Sequence, residues 1–424
     1  MQPADFLIEH ASLIATCAGP APRRGRAQAE ISPLIGGAIA AHQGDVVFVG
    51  PAGDLDARVQ LLPAATRIDA HGCTVVPGFV DAHTHIVYAG DRRDEVRRRL
   101  SGAGYADIAA AGGGILATVN ATRRASHEEL IAATRTRLDA MLACGTTTCE
   151  AKSGYGLTVE SEVRQLRVLR QLDHDHHVDI VPTFLGAHEI PPEYRHDRDA
   201  YVRLIIDEMI PAVVDEGLAE WCDVFCEDGV FTPDESREIL RAASAAGLAP
   251  RIHADEFGPG GGCVVAEQVG AYSADHLVYA TPDAADRLAT RPTMATLLPI
   301  AALSLKLGRY APARMLIERS VPVALGTDGN PGAGLSPSMA FAMTLACFAM
   351  DMTVEEALVA ATLNAAYSLN RDNRIGSLER GKIMDAVIVE GDLVDLLRVG
   401  VPAIRTVIKR GKVVHQMGRD GILP

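Results

Sequence analysis

What most constrains this chain is an alternation. Between residue 75 and about residue 370, short apolar segments at 75–85, 147–152, 180–187, 222–226, 250–254, 273–277, 294–298 and 322–328 are separated by helical stretches. Strands joined through helices lie parallel, because each crossover returns the chain to the same end of the sheet. Eight such units predict an α/β chain closed into a (β/α)₈ barrel of the TIM type. The helices carry start signals with a mechanism. Thr232-Pro-Asp-Glu235 puts Pro at the first helical position and Glu where it can cap reciprocally. Thr353-Val-Glu-Glu356 is a second capping box and predicts an Ala/Leu-rich helix through Leu369.

The flanks read differently. Residues 6–13, 36–41 and 45–49 form short strands, with a Pro-, Arg- and Ala-rich loop at 20–28. They are too few and too short to be stable alone. Further strands come at 387–389, 406–409 and 412–414, the last two joined by a hairpin at Gly411. The expected organisation is a small β-sandwich domain assembled from residues 1–74 and 376–424, with a barrel of residues 75–375 inserted between its halves.

Charge narrows the partners. Lys+Arg 40 against Asp+Glu 54 gives −14, so there is no basic footprint for nucleic acid. No uncharged apolar run reaches membrane-spanning length. The cysteines, at positions 17, 73, 144, 149, 222, 226, 263 and 347, form no C-x-x-C pair and lie in apolar segments, which fits buried thiols in a reducing compartment. The amino terminus has no basic region followed by an apolar one. The expectation is a cytoplasmic protein acting on a small molecule, with neither nucleic acid nor membrane as partner.

In such barrels, active-site groups project from the carboxyl ends of the strands. Polar residues recur there. Strand one ends in His83 and His85, which strand alternation puts on one face with Thr84 on the other. Strand two leads to Tyr155, strand three ends in His188, and strand five ends in His253 with Asp255 and Glu256 just beyond. Strand six carries Asp275 and His276, and strand eight ends in Asp328. A lone buried histidine is usually a satisfied core residue. Histidine or aspartate at the same end of five strands is not explained that way. Three imidazoles and one carboxylate suit Zn²⁺ or Fe²⁺, with a position left for water. Such an ion lowers the water's pKa from 15.7 toward roughly 7. Glu256 and His276 are placed to move protons and stabilise an oxyanion. The reaction class that follows is metal-assisted hydrolysis of a C–N bond at a carbonyl or amidine carbon.

The segments carrying these residues resemble a known family. Pro77-Gly-Phe-Val-Asp-Ala-His-Thr-His85, His276, Asp328 and the glycines of 376–381 are similar to the amidohydrolase superfamily. His83-Thr-His-Ile-Val-Tyr-Ala-Gly-Asp-Arg92, Ala109-Ala-Ala-Gly-Gly-Gly-Ile115, Glu150-Ala-Lys-Ser-Gly-Tyr-Gly156, Thr183-Phe-Leu-Gly-Ala-His188, His253-Ala-Asp-Glu256 and Asp328-Gly-Asn-Pro-Gly332 narrow the likeness to its imidazolonepropionase family. The likeness spans nearly the whole chain. It implies hydrolysis of 4-imidazolone-5-propanoate to N-formimidoyl-L-glutamate, a step of histidine degradation, and a homodimer. It implies one divalent metal per chain, Zn or Fe, held by His83, His85, His253 and Asp328. It also implies substrate contacts from Arg92, Tyr155, His188 and Glu256, product contacts from Asn330 and Gly332, and catalytic roles for Glu256, His276 and Asp328. Arg92 makes chemical sense by itself, because a guanidinium pairs bidentately with a carboxylate such as the substrate's propionate.

One position departs from the family pattern. Ala333 stands where Ser or Thr is usual, removing a hydroxyl whose hydrogen bond is worth ~0.5–1.5 kcal/mol, and Ser336 or a backbone N–H is the expected substitute. Lys152 is expected to form a structural ion pair rather than a carboxylated bridge between two metals. His174-Asp-His-His177 precedes strand three and reads as a solvated turn. The glycine runs 112–114 and 258–262 match no phosphate-binding fingerprint and read as turns or lids. Two rival readings share the motifs. One is another mononuclear amidohydrolase, such as a nucleobase-type deaminase; the other is a non-catalytic scaffold of the same fold, which the complete ligand set argues against.

Overall fold

In a computed structural model of the protein, residues 1–102, 113–401 and 403–417 are described. The chain starts with β1 (Gln2–Glu9) and β2 (Leu13–Ala15), which the sequence predicts as one strand at 6–13. It turns instead at His10, whose φ of 60° is left-handed, and the two pieces enter different sheets. β3 (Pro33–Ile35), β4 (Gly37–His42), β5 (Asp45–Pro51), β6 (Val59–Asp69) and β7 (Cys73–Pro77) follow. β6 is not expected from the sequence. It is largely exposed and contains Pro63, a residue at home only on an edge strand, and it pairs on one side alone, with β1.

The barrel strands are β8 (Phe79–Asp81), β9 (Thr146–Lys152), β10 (Asp179–Ala187), β11 (Trp221–Cys226), β12 (Ala249–Ala254), β13 (Ser273–His276), β14 (Met294–Leu297) and β15 (Val323–Leu325). They pair in consecutive order, all parallel. The ring closes through backbone bonds from Asp328 N–H to His83 O (3.1 Å) and from His85 N–H to Gly329 O (3.1 Å).

The segment 75–85 is thus not one strand. β7 belongs to an outer sheet, and only β8 enters the barrel. Gly78 allows the transfer: its N–H donates to Asp385 O at 2.9 Å, and a Cβ there would collide with Thr147. His83 and His85 therefore lie just past the end of β8, and Asp328 just past β15. A single bridge from Thr84 to Gly329 preserves the alternation that keeps the two histidines on one side.

Both capping boxes form, at Thr232 and Thr353. The helix opened by Thr353 does not reach Leu369, however. It ends at Ala360, and a second runs over Leu363–Ser368. Contact with the barrel explains the break: Ala361 O accepts the N–H of Val80 (2.9 Å), and the Thr362 hydroxyl donates back to Leu358 O (2.6 Å).

β16 (Ala386–Glu390), β17 (Ile404–Lys409) and β18 (Lys412–Gln416) complete the outer structure. One sheet has the order β5-β4-β1-β6; the other, β18-β17-β16-β7-β2-β3, joins both ends of the chain. Phe6, Ile8 and Ile39 of the first pack against Ile14, Val75 and Ile388 of the second, making the sandwich core. All eight cysteines are free thiols. Among the described residues no helix is long and apolar enough to cross a membrane.

Candidate active site

At the carboxyl ends of the barrel strands lies one cavity. Every residue implicated above as ligand, substrate contact or catalyst lines it except His83, which lies beneath, fully buried. The imidazoles and Asp328 converge tightly. His83 Nε2 is 3.1 Å from His85 Nε2, which is 3.4 Å from His253 Nε2. Asp328 Oδ1 lies 3.4 Å from His85 Nε2 and 3.6 Å from His83 Nε2, and among the described residues no hydrogen-bond partner reaches it although it is buried. Ligand atoms around a tetrahedral ion with bonds of ~2.0–2.1 Å stand roughly 3.3–3.4 Å apart, close to the spacing of His85 Nε2 from His83, His253 and Asp328. Among the described residues two overlapping groups could hold a metal ion, His83, His85 and His253, and His83, His276 and Asp328, the ligand atoms of each group within 4.8 Å of one another.

What lies behind each imidazole fixes its tautomer. His83 Nδ1 donates to Asp275 Oδ2 (2.6 Å) and His253 Nδ1 donates to Asp223 Oδ1 (3.1 Å), so both Nε2 lone pairs face the cluster. Among the described residues His85 has no such carboxylate; it stacks on His188 instead, centroids 5.0 Å apart. Burial, with Lys152 and neighbouring imidazoles, holds His83 and His85 well below the usual histidine range. Burial also brings His276 down to about 3. These rings are neutral at physiological pH, as ligation and hydrogen-bond donation both require.

The cavity walls are equally fixed. Arg92 Nε and Nη2 donate to Glu95 Oε2 at 2.7 and 2.6 Å, and Glu95 Oε1 accepts the Gly114 N–H at 2.8 Å. His188 Nδ1 donates to Gly154 O (3.0 Å), which leaves Nε2 as an acceptor. Gly154 cannot carry a side chain: its φ is 103°, and a Cβ would meet His188 Nδ1 at 2.9 Å. The loop bearing Tyr155 is cradled by Glu162, which accepts N–H groups of Gly154, Gly156 and Leu157 at 2.7–2.9 Å. Glu256 lies 3.5 Å from His276 Nδ1, and its own N–H donates to Glu227 (2.9 Å). Burial, and then the charges of Asp328 and Glu227, push the Glu256 carboxyl well above its ordinary range; burial raises Asp328 as well. His276 and Asp328 have φ of 73° and 52°, conformations rare outside glycine that concentrate at functional sites.

Several functional partners were not visible in the sequence. Asp223, Glu95 and Glu227 each hold a cavity residue and Glu162 holds the backbone on either side of Tyr155, yet none sits in a recognisable motif. The only signal was a charged residue inside an apolar strand, as Asp223 is in β11.

Other expectations resolve as follows. Lys152 is ion-paired inside the barrel, its Nζ 2.7 Å from both Glu150 and Asp223. Ser336 does not substitute for the missing hydroxyl; its Oγ accepts the Ser338 N–H (3.2 Å) and it does not line this cavity. Ala333 instead packs with Leu298, Ala301 and Leu305, while its N–H donates to Asn330 Oδ1 (2.6 Å). His174 and Asp175 end a helix, and His176 bonds Asp139, so this cluster does not converge. In the run 258–262, the N–H groups of Gly261 and Gly262 donate to Asp255 Oδ1 (3.1 and 3.3 Å), which makes it a turn rather than a lid. In the motif 109–115 and the run 112–114, residues 109–112 lie outside the described residues.

A sequence profile of the Amidohydrolase family matches residues 74–417. The chain is 48% identical over 419 residues to an imidazolonepropionase of Geobacillus kaustophilus, covering 98% of this chain and 99% of the relative. It is 46% identical over 422 residues to one of Symbiobacterium thermophilum, covering 99% of each. Among solved structures, an adenosine deaminase from Xanthomonas campestris with bound zinc has a TM-score of 0.70 at 21% identity, covering 97% of this chain and 93% of that one, a likeness of fold.

Proposed function

The chain belongs to the amidohydrolase family and, within it, to the imidazolonepropionases, and from that premise we propose that it hydrolyses 4-imidazolone-5-propanoate to N-formimidoyl-L-glutamate. The observation that carries the reading is a cavity in which His85 Nε2 lies 3.1–3.4 Å from His83 Nε2, His253 Nε2 and Asp328 Oδ1, with an arginine already fixed by a neighbouring carboxylate. A nucleobase deaminase would share the cluster; the full-length identity to imidazolonepropionases favours the ring-opening reading over it. We assign one divalent ion per chain, zinc or iron, to His83, His85, His253 and Asp328. A cytoplasmic homodimer serving histidine degradation completes the reading.

When bound, the ion polarises the ring carbonyl and acidifies the attacking water. The protein's own residues do the rest. Arg92, with Nε and Nη2 taken by Glu95, pairs with the propionate through its remaining edge. Tyr155 and His188 hold the ring, with His188 Nε2 accepting a ring N–H. Asp328, buried and raised toward neutrality, takes the proton of the water as its oxygen adds to the carbonyl carbon. Neutral His276 donates a hydrogen bond to the developing oxyanion. Glu256, its carboxyl pushed up by burial, gives its proton to the ring nitrogen as the C–N bond breaks. Asn330 and Gly332 flank the opened product.

The test follows the disappearance of imidazolonepropanoate absorbance, with and without a chelator, and assays ammonia in parallel. The expected result is ring opening without ammonia, lost on chelation and restored by Zn²⁺ or Fe²⁺. Nucleobase deamination without turnover of imidazolonepropanoate would replace this reading with the deaminase one.

A further inference from the structure

Beneath the imidazole cluster the barrel holds a lysine that the chemistry above does not use. Lys152, in β9, is wholly buried, and a buried ammonium is strongly disfavoured unless it is compensated. Its Nζ lies 2.7 Å from Glu150 Oε1, 2.7 Å from Asp223 Oδ2 and 3.9 Å from Asp275 Oδ2. Each of these carboxylates in turn holds one part of the cluster. Glu150 accepts the N–H of Thr84, the residue between His83 and His85, at 3.1 Å. Asp223 accepts both the Nδ1–H and the backbone N–H of His253, at 3.1 and 3.2 Å. Asp275 accepts the Nδ1–H of His83 at 2.6 Å. A backbone bond from Lys152 N–H to Thr84 O (2.9 Å) ties the same strand to the same segment. Arg251 approaches only one of the three carboxylates, with Nη2 3.7 Å from Asp275.

We infer that Lys152 is a positioning residue: one ammonium gathers three carboxylates that aim His83, His85 and His253 at a common point, and it thereby sets the affinity of the site for its divalent ion. The inference rests on the metal-centred reading above. Without Nζ, three carboxylates in a dry interior repel one another. Those beneath His83 and His253 then rotate, and the rings rotate with them. A carboxylated Lys152 bridging two ions is excluded on the same ground, since it would set a further anion against Glu150 and Asp223. Changes behind metal ligands typically weaken metal affinity ~10–100-fold. Lys152 acts on two ligand-bearing segments at once, so the upper end is expected.

Zn²⁺ is titrated into metal-free wild type, K152M and K152M/E150Q in competition with a chromophoric chelator. Circular dichroism and thermal melts of the metal-free proteins report folding, and the visible spectrum of Co²⁺-loaded protein reports ligand geometry. The double variant removes one cation and one anion together and carries the test should K152M fail to fold. We expect ~100-fold weaker Zn²⁺ binding in K152M, at least ~10-fold in the double variant, an altered Co²⁺ spectrum, and one ion per chain in wild type. A lysine with only a structural role would lower the melting temperature and leave the Zn²⁺ Kd of the folded variant within about threefold of wild type. That result overturns the inference, and so does a wild-type stoichiometry of two. Wild type that binds neither Zn²⁺ nor Co²⁺ overturns the metal-centred reading itself, so the two failures are distinct.

Discussion

Replacing Gly332 with alanine perturbs the proposed carboxylate clamp without touching its charge. A Cβ at this position would fall well inside van der Waals contact with the Arg92 guanidinium, with Nη2 at 3.0 Å. Neither side yields cheaply. Arg92 is buried, with Nε and Nη2 on Glu95, which is itself tied to the Gly114 N–H. Gly332 is held by its N–H on Asn330 Oδ1 (2.8 Å) and by its carbonyl under Arg99 Nη1 (3.2 Å). The guanidinium must therefore leave at least one charge-assisted bond or tilt away from the substrate, a loss of about 1.5–3 kcal/mol. If Arg92 grips the propionate rather than the reacting carbonyl, as proposed, the loss falls on ground state and transition state alike. G332A is expected to raise KM ~10–100-fold while kcat stays within about threefold. Steady-state kinetics on imidazolonepropanoate measure both, with R92A as reference. In a double-mutant cycle, G332A should add little to R92A, since both remove the same contact. An unchanged KM, a fall confined to kcat, or full additivity with R92A would each refute the clamp.

Three further outcomes are expected. D328N should lower kcat by about 10²–10⁴-fold, and turnover retained with metal bound would remove Asp328 from the proton transfer. In the metal-free protein, His276 has its pKa lowered to about 3 from the usual 6.5, so below the unfolded value the unfolded chain takes a proton that the folded chain refuses, and stability is lost as pH falls. From about pH 7 to about pH 5 this amounts to about 2 kcal/mol, so urea melts should show H276N gaining that much relative to wild type, and an unchanged difference would contradict the assignment. Burial lifts Cys17 to about 12 and Cys226 to about 11, and it raises Cys149, Cys222 and Cys263 as well. Iodoacetamide on the native protein, read by mass spectrometry, should therefore label only the half-buried Cys144 and Cys347, and slowly; rapid labelling of Cys149 would count against the buried-thiol description.

The residues that line the cavity were legible because their chemistry breaks the local pattern. A histidine or aspartate ending an apolar strand is conspicuous, and five such endings converge only if the strands form one barrel. What could not be read was where one sheet hands the chain to the next. Residues 75–85 look continuous, yet Gly78 passes the chain from sandwich to barrel, and His10 does the same between β1 and β2. Local preference sees an extended chain on both sides of the switch, and only the partners differ. The helix opened by Thr353 fails for a related reason, since a barrel strand takes the carbonyl that a longer helix would have used.

The second layer of the site was hidden by the logic that made the first visible. Glu150, Lys152, Asp223 and Arg251 lie inside strands, where a charge seems a mistake until the facing strand is known. Each is fully buried: Lys152 pairs with Glu150 on its own strand and with Asp223 of β11, and Arg251 approaches Asp275 of the neighbouring β13. His83 and His85 lie just past β8 and His253 lies in β12, so their rings need partners that hold them in place before an ion binds. Carboxylates fixed within the strands can do so, since they hold the Nδ1 atoms of His83 and His253 through bonds that exist before any ion arrives. The barrel interior thus determines the geometry, and the cluster at its mouth uses it. On this view a substitution deep in β9 or β11 should disturb metal affinity as much as one at the cavity wall, although it touches neither ion nor substrate.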